Sequence, residues 1–278
     1  MENNEEKNNE IIKAQEILKG EAKNNKFIVK NIIPRKNPSV YTQGLILKRE
    51  KEKNYLYESG GLYEQSTLTK MEWPSQTIMQ KLFLDEKYFG EGISFNQNND
   101  KLYQLTWKEK VILEYDNNNN QLIFKDYIPL PKEINEGWGL CEGLDSEFYL
   151  TDGTDIIYIL EIKNNLFEIK NHINIKYEHI KIDNINDLVF VNNYIWANRY
   201  YDDSIFKINP KNGKIENTYS MQPLIEYELN TGKLTHNLLD DGYVLNGITF
   251  NNINNTFIIT GKMWDNYYEI QFIENSEN

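Results

Sequence analysis

From Phe27 to the C-terminal region the chain alternates apolar and polar residues over short runs, and Asn, Asp and Gly gather between the runs. A period of two broken by turn formers predicts half-buried β-strands. Two stretches depart from it. Before Phe27 the residues are mostly Glu, Lys and Asn, with apolar positions at Ile11, Ile12, Ala14, Ile17 and Leu18 that suit a small amphipathic helix. The segment "MQPLIEYELNTGKLTHNLL", from Met221 to Leu239, has enough helical spacing for a short helical insertion. The expected organisation is a charged extension over 1–26 and one all-β domain over 27–278.

The strands repeat. Five anchors recur at Gln43-Gly44-Leu45, Glu91-Gly92-Ile93, Trp138-Gly139-Leu140, Asn186-Asp187-Leu188 and Asn246-Gly247-Ile248, with gaps of 48, 47, 48 and 60 residues. A second strand follows each anchor ("LYESGG", "LYQLTW", "FYLTDG", "IWANRY", "FIITGK"), and a third follows that. Repeats of this length, each made of several short strands, predict a five-bladed β-propeller. The longest gap contains the helical insertion. The last unit is one strand short, and "FIVKNII" at 27–33 is the spare that closes the ring.

In a propeller the innermost strand of each blade lines the central channel, so equivalent anchor positions converge at its mouth. These are Gln43, Glu91, Trp138, Asn186 and Asn246. The glycines beside them let backbones approach where a Cβ would collide. One carboxylate, one indole and three amides then surround a single opening, and Glu91 is the one obvious proton carrier among them.

Composition removes several classes of function. The 278 residues are 40% hydrophobic and 13% aromatic, enough for a full core, and the net charge of −12 leaves no basic stripe for nucleic acid. Cys141 is the single cysteine, which excludes an internal disulfide and a cysteine-based metal site. His172, His179 and His236 are scattered, with no pair at metal-ligand spacing. No apolar run approaches the roughly 18 residues of a membrane span, and "MENNEEKNNE" lacks signal-peptide character.

The segments "YTQGL", "YFGEGI", "YQLTW", "GWGL", "INDL", "IWAN", "LNGI" and "TGKMW" resemble, in order and spacing, the papaya-type glutaminyl cyclases, or glutaminyl-peptide cyclotransferases, over about residues 27–273. That resemblance implies an enzyme acting on peptides or proteins with an N-terminal glutamine, in a secretory compartment; a monomer is expected, though not from the resemblance. It implies Glu91 as the acid/base and carries pocket roles to Gln43, Phe89, Trp107, Trp138, Asn186 and Lys262. Tyr41 and Tyr200 stand where the family commonly has phenylalanine and tryptophan, keeping an aromatic wall while adding hydroxyls that bear on substrate preference. No cofactor is implied for catalysis; plant members carry a central calcium ion, which leaves a structural calcium in the channel as an expectation.

The residue types suit that chemistry on separate grounds. Cyclisation needs a tight pocket that holds a folded conformer, and one carboxylate that takes a proton and returns it. Trp138, Gln43 or Lys262 could donate to the developing oxyanion, and Asn186 could accept from the α-amine. Two other readings remain open at this level. A propeller glycosidase or lactonase would use two or three acids near the axis, for which the anchors supply Glu91 and Asp187. A peptide-binding propeller would use the same mouth without chemistry.

Overall fold

The computed structural model describes residues 2–119 and 121–274, with side chains from Asn9 onward. Met1, Asn120 and residues 275–278 of the expected 1–26 and 27–278 units lie outside the described residues. Helix α1 (Glu2–Asn24) leads into five four-stranded antiparallel sheets, which take up 42–83, 90–129, 140–174, 185–220, and 245–272 joined by 27–34. This is the five-bladed propeller that the repeat predicts.

Each blade faces two others, so its middle strands must be apolar on both sides. Thr67–Trp73 and Lys101–Thr106 are buried almost throughout, whereas the outer strand Thr77–Phe83 is largely exposed. Five apolar clusters fill the five seams between neighbouring blades. Leu102 and Leu113 meet Tyr55 and Tyr57 between blades 1 and 2, and Ile258 and Tyr267 meet Leu56 and Trp73 between blades 5 and 1.

The ring closes with both ends of the chain. Phe27–Pro34 pairs antiparallel with Asn266–Phe272, supplying the outer strand that blade 5 lacks. A buried polar network reinforces the closure. Arg35 donates to Glu58 at 2.8 Å and to Thr42 at 3.1 Å, while Thr42 and Tyr267 donate to the same Glu58 carboxylate at 2.7 and 2.9 Å. A buried carboxylate is tolerated only when its lone pairs are filled in this way.

The insertion forms two helices, α2 (Gln222–Thr231) and α3 (His236–Asp240). Glu228 of α2 is fully buried and accepts from the backbone of Asp265 and Asn266 and from Tyr268, which pins the insertion to blade 5. Helix α1 is longer than its apolar pattern predicts, because the flanking Glu and Lys residues are good helix formers. Its packing also differs from that pattern. Leu18 and Ala22 are buried beside Leu224 and Tyr227, and Ile12 and Ile17 stay exposed.

Removing one partner from a buried ion pair strands the other charge, so Glu58→Ala should destabilise the fold by about 3–5 kcal/mol. Chemical denaturation of the variant beside the wild type measures this loss.

Candidate active site

Each innermost strand breaks its pairing at the anchor. In blade 1 Gln43 is an extra residue between the pairs Thr42–Gly60 and Gly44–Ser59. In blades 2, 4 and 5 two residues (Glu91-Gly92, Asn186-Asp187, Asn246-Gly247) stand opposite one. Trp138 and Gly139 of blade 3 both bond to Thr151. These β-bulges turn the first anchor residue out of the strand's alternation and toward the channel mouth. The second anchor residue faces crowded backbone. A Cβ on Gly139 would lie 2.0 Å from the Asn186 carbonyl oxygen, and one on Gly92 would lie 2.6 Å from that of Trp138.

Asp187 takes a glycine slot with a different outcome. Its carboxylate accepts from the Ile248 amide at 2.8 Å, with the Leu45 and Leu188 amides also bonded to it, and burial raises its pKa to about 8 against those bonds. It is absent from the cavity lining, so it does not serve as the second acid beside a substrate that a propeller glycosidase or lactonase would need. The groups converging on Asp187 are amide donors, whereas calcium takes six to eight oxygen ligands. This level of the channel does not fit that ion. Among the described residues no cluster of three or more His, Cys, Asp or Glu side chains is placed to hold a metal.

Above the bulges lies a cavity of about 190 Å³. Its floor is buried and polar, made by Gln43, Glu91, Asn186 and Lys262, and its walls are Tyr41, Leu62, Phe89, Trp107, Trp138 and Tyr200. Nine of the ten expected site residues meet there. The exception is Asn246, which lies beneath the cavity; its amide donates to Thr42 O at 2.9 Å and Gln43 Oε1 at 3.3 Å and accepts from Asn198. Its contribution is to hold Gln43, which corrects its expected place in the pocket.

Glu91 accepts from Gln43 Nε2 at 3.1 Å, and its backbone oxygen is held by Ser59 Oγ at 2.5 Å. Burial pushes its carboxyl well above the usual carboxylate range; the Lys262 charge opposes this, and Glu136, Asp187 and Glu109 add to it. Lys262 is pushed down to about 8 by burial, against the attraction of Glu91. Its ammonium lies between two ring faces, 4.7 Å from Tyr41 and 4.4 Å from Tyr200. Asn186 Oδ1 is buried with no hydrogen-bond partner. An acceptor left so typically costs about 1–3 kcal/mol, which a bound donor would recover.

The neutral oxyanion donors are differently engaged. Gln43 Nε2 is on Glu91, and the Trp138 indole N–H donates to Glu136 Oε2 at 2.9 Å. Trp107 donates to that same oxygen at 2.7 Å. Glu136 is a residue that the repeat pattern missed, since it precedes the anchor by two positions, where the other blades carry Tyr41, Phe89, Asn184 and Val244 and no acid; its signal was an acid beside the indole motif at Trp138. The hydroxyls that distinguish Tyr41 and Tyr200 turn from the cavity toward the end of α3. Tyr41 Oη donates to Gly242 O at 3.1 Å, and a Cβ on Gly242 (φ +91°) would lie within 3.3 Å of the Tyr41, Tyr200 and Tyr201 oxygens. Trp196 and Trp264 are core residues.

The site is thus the central pocket of a five-bladed propeller, with Glu91 as the carboxylate in its lining beneath an aromatic rim. The chain belongs to the glutamine cyclotransferase family, whose sequence pattern matches residues 8–272. The glutaminyl-peptide cyclotransferase of Arabidopsis thaliana is 28% identical over 235 residues, covering 84% of this chain and 68% of the relative. The crystal structure of Myxococcus xanthus glutaminyl cyclase shares the fold with a TM-score of 0.75 at 22% identity, covering 90% of this chain and 97% of that one.

Because the Tyr200 ring forms a wall and its hydroxyl faces away, Tyr200→Trp should retain kcat/KM within a few-fold. Tyr200→Ala opens the wall and uncovers one face of Lys262, so steady-state kinetics should show kcat/KM lower by about tenfold or more, the scale of one lost aromatic contact.

Proposed function

We propose that the protein converts the N-terminal glutamine of peptides or proteins to pyroglutamate with release of ammonia. The observation that carries this reading is Glu91. It is the one carboxylate among the described residues lining the cavity, and it shares the buried floor with the unpartnered Asn186 oxygen and with Lys262. The cavity is smaller than the roughly 300–1,000 Å³ of common small-molecule sites, so it suits one residue with the remainder of the peptide outside.

In this mechanism the aromatic walls hold the glutamine side chain curled toward its own α-amine. Asn186 Oδ1 accepts from the amine and sets its direction. The amine nitrogen bonds to the carboxamide carbon, and Glu91 takes the proton that the nitrogen loses. The oxygen of that carbon gains negative charge and is stabilised by Lys262, the cation on the cavity floor. Collapse breaks the carbon–nitrogen bond of the carboxamide, and Glu91 returns its proton to the departing ammonia. The products are a lactam and ammonia, with Glu91 restored. Holding the two ends of one residue together exploits effective molarities of about 10⁵ M or more.

Glu91→Gln keeps shape and removes basicity. It should melt near the wild type while kcat for a Gln-initiated peptide, followed by ammonia release, falls at least about 10²-fold, with KM changing far less. A well-folded variant retaining a third of wild-type kcat would remove Glu91 from the mechanism.

The pH dependence follows from the two buried charges and the substrate's α-amine. The amine must be neutral to attack, ordinarily above about 7.7–8.0, and Glu91 must be ionised to accept a proton, so the acid arm of kcat/KM should carry both ionisations, with that of Glu91 raised by burial well above the ordinary value of about 4.3. Lys262 carries its charge below about 8 and loses it above, so activity should decline on that side. A pH–rate profile from pH 4 to 10 tests both arms.

A further inference from the structure

The aromatic rim is almost a closed ring. Tyr41 meets Phe89 at 6.4 Å between centroids, Phe89 meets Trp107 at 5.5 Å, and Trp138 meets Tyr200 at 5.7 Å. Two gaps are left, and each is spanned by a charged side chain. Lys262 lies between Tyr200 and Tyr41, and Glu136 joins Trp107 to Trp138.

Resting on the cyclase reading above, we infer that Glu136 is a positioning residue for that reaction, holding both indole walls on one carboxylate oxygen and placing its negative charge against the catalytic Glu91. Its own place is set by backbone: the Gly137 amide donates to Trp107 O at 2.9 Å, and a Cβ on Gly137 would lie 2.6 Å from Thr106 O. Residues 136–138 are therefore seated on the end of blade 2. From there Oε2 reaches the indole of that blade and the indole of its own. Hydrogen bonds to an ionised acceptor are about twice as strong as neutral ones, and two indoles sharing one oxygen have a fixed splay. Oε1 is left with Lys108 at 4.0 Å, whose ammonium also lies 3.7 Å from the Trp107 ring centroid. The charges that act on Glu91 come from Lys262 after the second strand of blade 5, Glu136 before blade 3, Asp187 of blade 4 and Glu109 after the second strand of blade 2.

Two substitutions separate geometry from charge. Glu136→Gln keeps an acceptor oxygen for the indoles and removes the charge; Glu136→Ala removes both. Tryptophan emission reports the clamp, because Trp73, Trp196 and Trp264 are buried and Trp107 and Trp138 are partly exposed to a soluble quencher. With Glu136→Gln, KM for a Gln-initiated peptide and acrylamide quenching should stay near wild type. The acid arm of kcat/KM should move to lower pH, since loss of a nearby negative charge lets Glu91 ionise more readily. With Glu136→Ala, quenching should increase and KM should rise about tenfold, the scale expected when two walls lose a charged hydrogen-bond partner.

The inference is overturned if Glu136→Ala leaves KM and quenching at wild-type values, or if it lowers only the melting temperature. An acid arm unmoved in Glu136→Gln overturns the charge part. If the wild type releases no ammonia, the cyclase reading fails on its own. Glu136 is then judged by quenching and by peptide titration monitored through indole emission, where unchanged signals in Glu136→Ala again overturn the clamp.

Discussion

The closeness of five backbones at one axis is the constraint on which the rest of the molecule depends. At Gly139 and Gly92 the neighbouring blade's carbonyl occupies the place of a side chain, so the inner strands cannot continue as regular ladders there. They bulge instead, and the bulges of blades 1, 2 and 4 each turn one side chain up into the cavity. The same crowding that removes a Cβ from one position thus aims Glu91, Gln43 and Asn186 at a common point. Rigidity follows as well, since these side chains stand on paired strands with apolar seams behind them.

Charge is then arranged within a buried floor. Glu91 and Lys262 are both buried, and the ammonium rests on tyrosine faces, with no carboxylate within salt-bridge distance among the described residues. Each charge therefore remains poised: burial makes ionised Glu91 a stronger base and charged Lys262 a stronger acid than either would be in water. Aromatic walls maintain this by excluding solvent without supplying competing hydrogen bonds. The hydroxyls of Tyr41 and Tyr200 obey the same rule, being directed to the backbone at Gly242 rather than into the cavity.

The blades and most of the floor were legible in the sequence because a glycine follows the first residue at four of the five anchors, with Asp187 in that slot at the other, and the anchors recur every 47 or 48 residues until the helical insertion lengthens the last gap to 60. The split fifth blade was legible for the same reason, as one strand too few at one end and one too many at the other. Asn246 occupies an equivalent position, but its amide finds partners in Thr42, Gln43 and Asn198 and never reaches the cavity. Repeat position specifies direction and leaves hydrogen bonding undetermined. Glu136 was hidden for the opposite reason, since its place comes from a loop seated on the preceding blade. Helix α1 was underestimated because its length rests on propensity, which a search for an apolar stripe does not weigh.

Closure of the ring also orders events in time. Tyr41 and Gln43 come early in the chain and Lys262 comes late, and the Asn246 amide that steadies Gln43 is 204 residues from its acceptor at Thr42. During synthesis Glu91 is therefore made long before Lys262 and before the walls Trp107, Trp138 and Tyr200, and contacts so distant in sequence form slowly. An unfinished chain carries its carboxylate in water, at ordinary acidity, with no walls to fold a substrate. Competence thus arrives with the last blade, so the newly made chain has no cyclising site to offer other emerging N-termini until its own ring is complete.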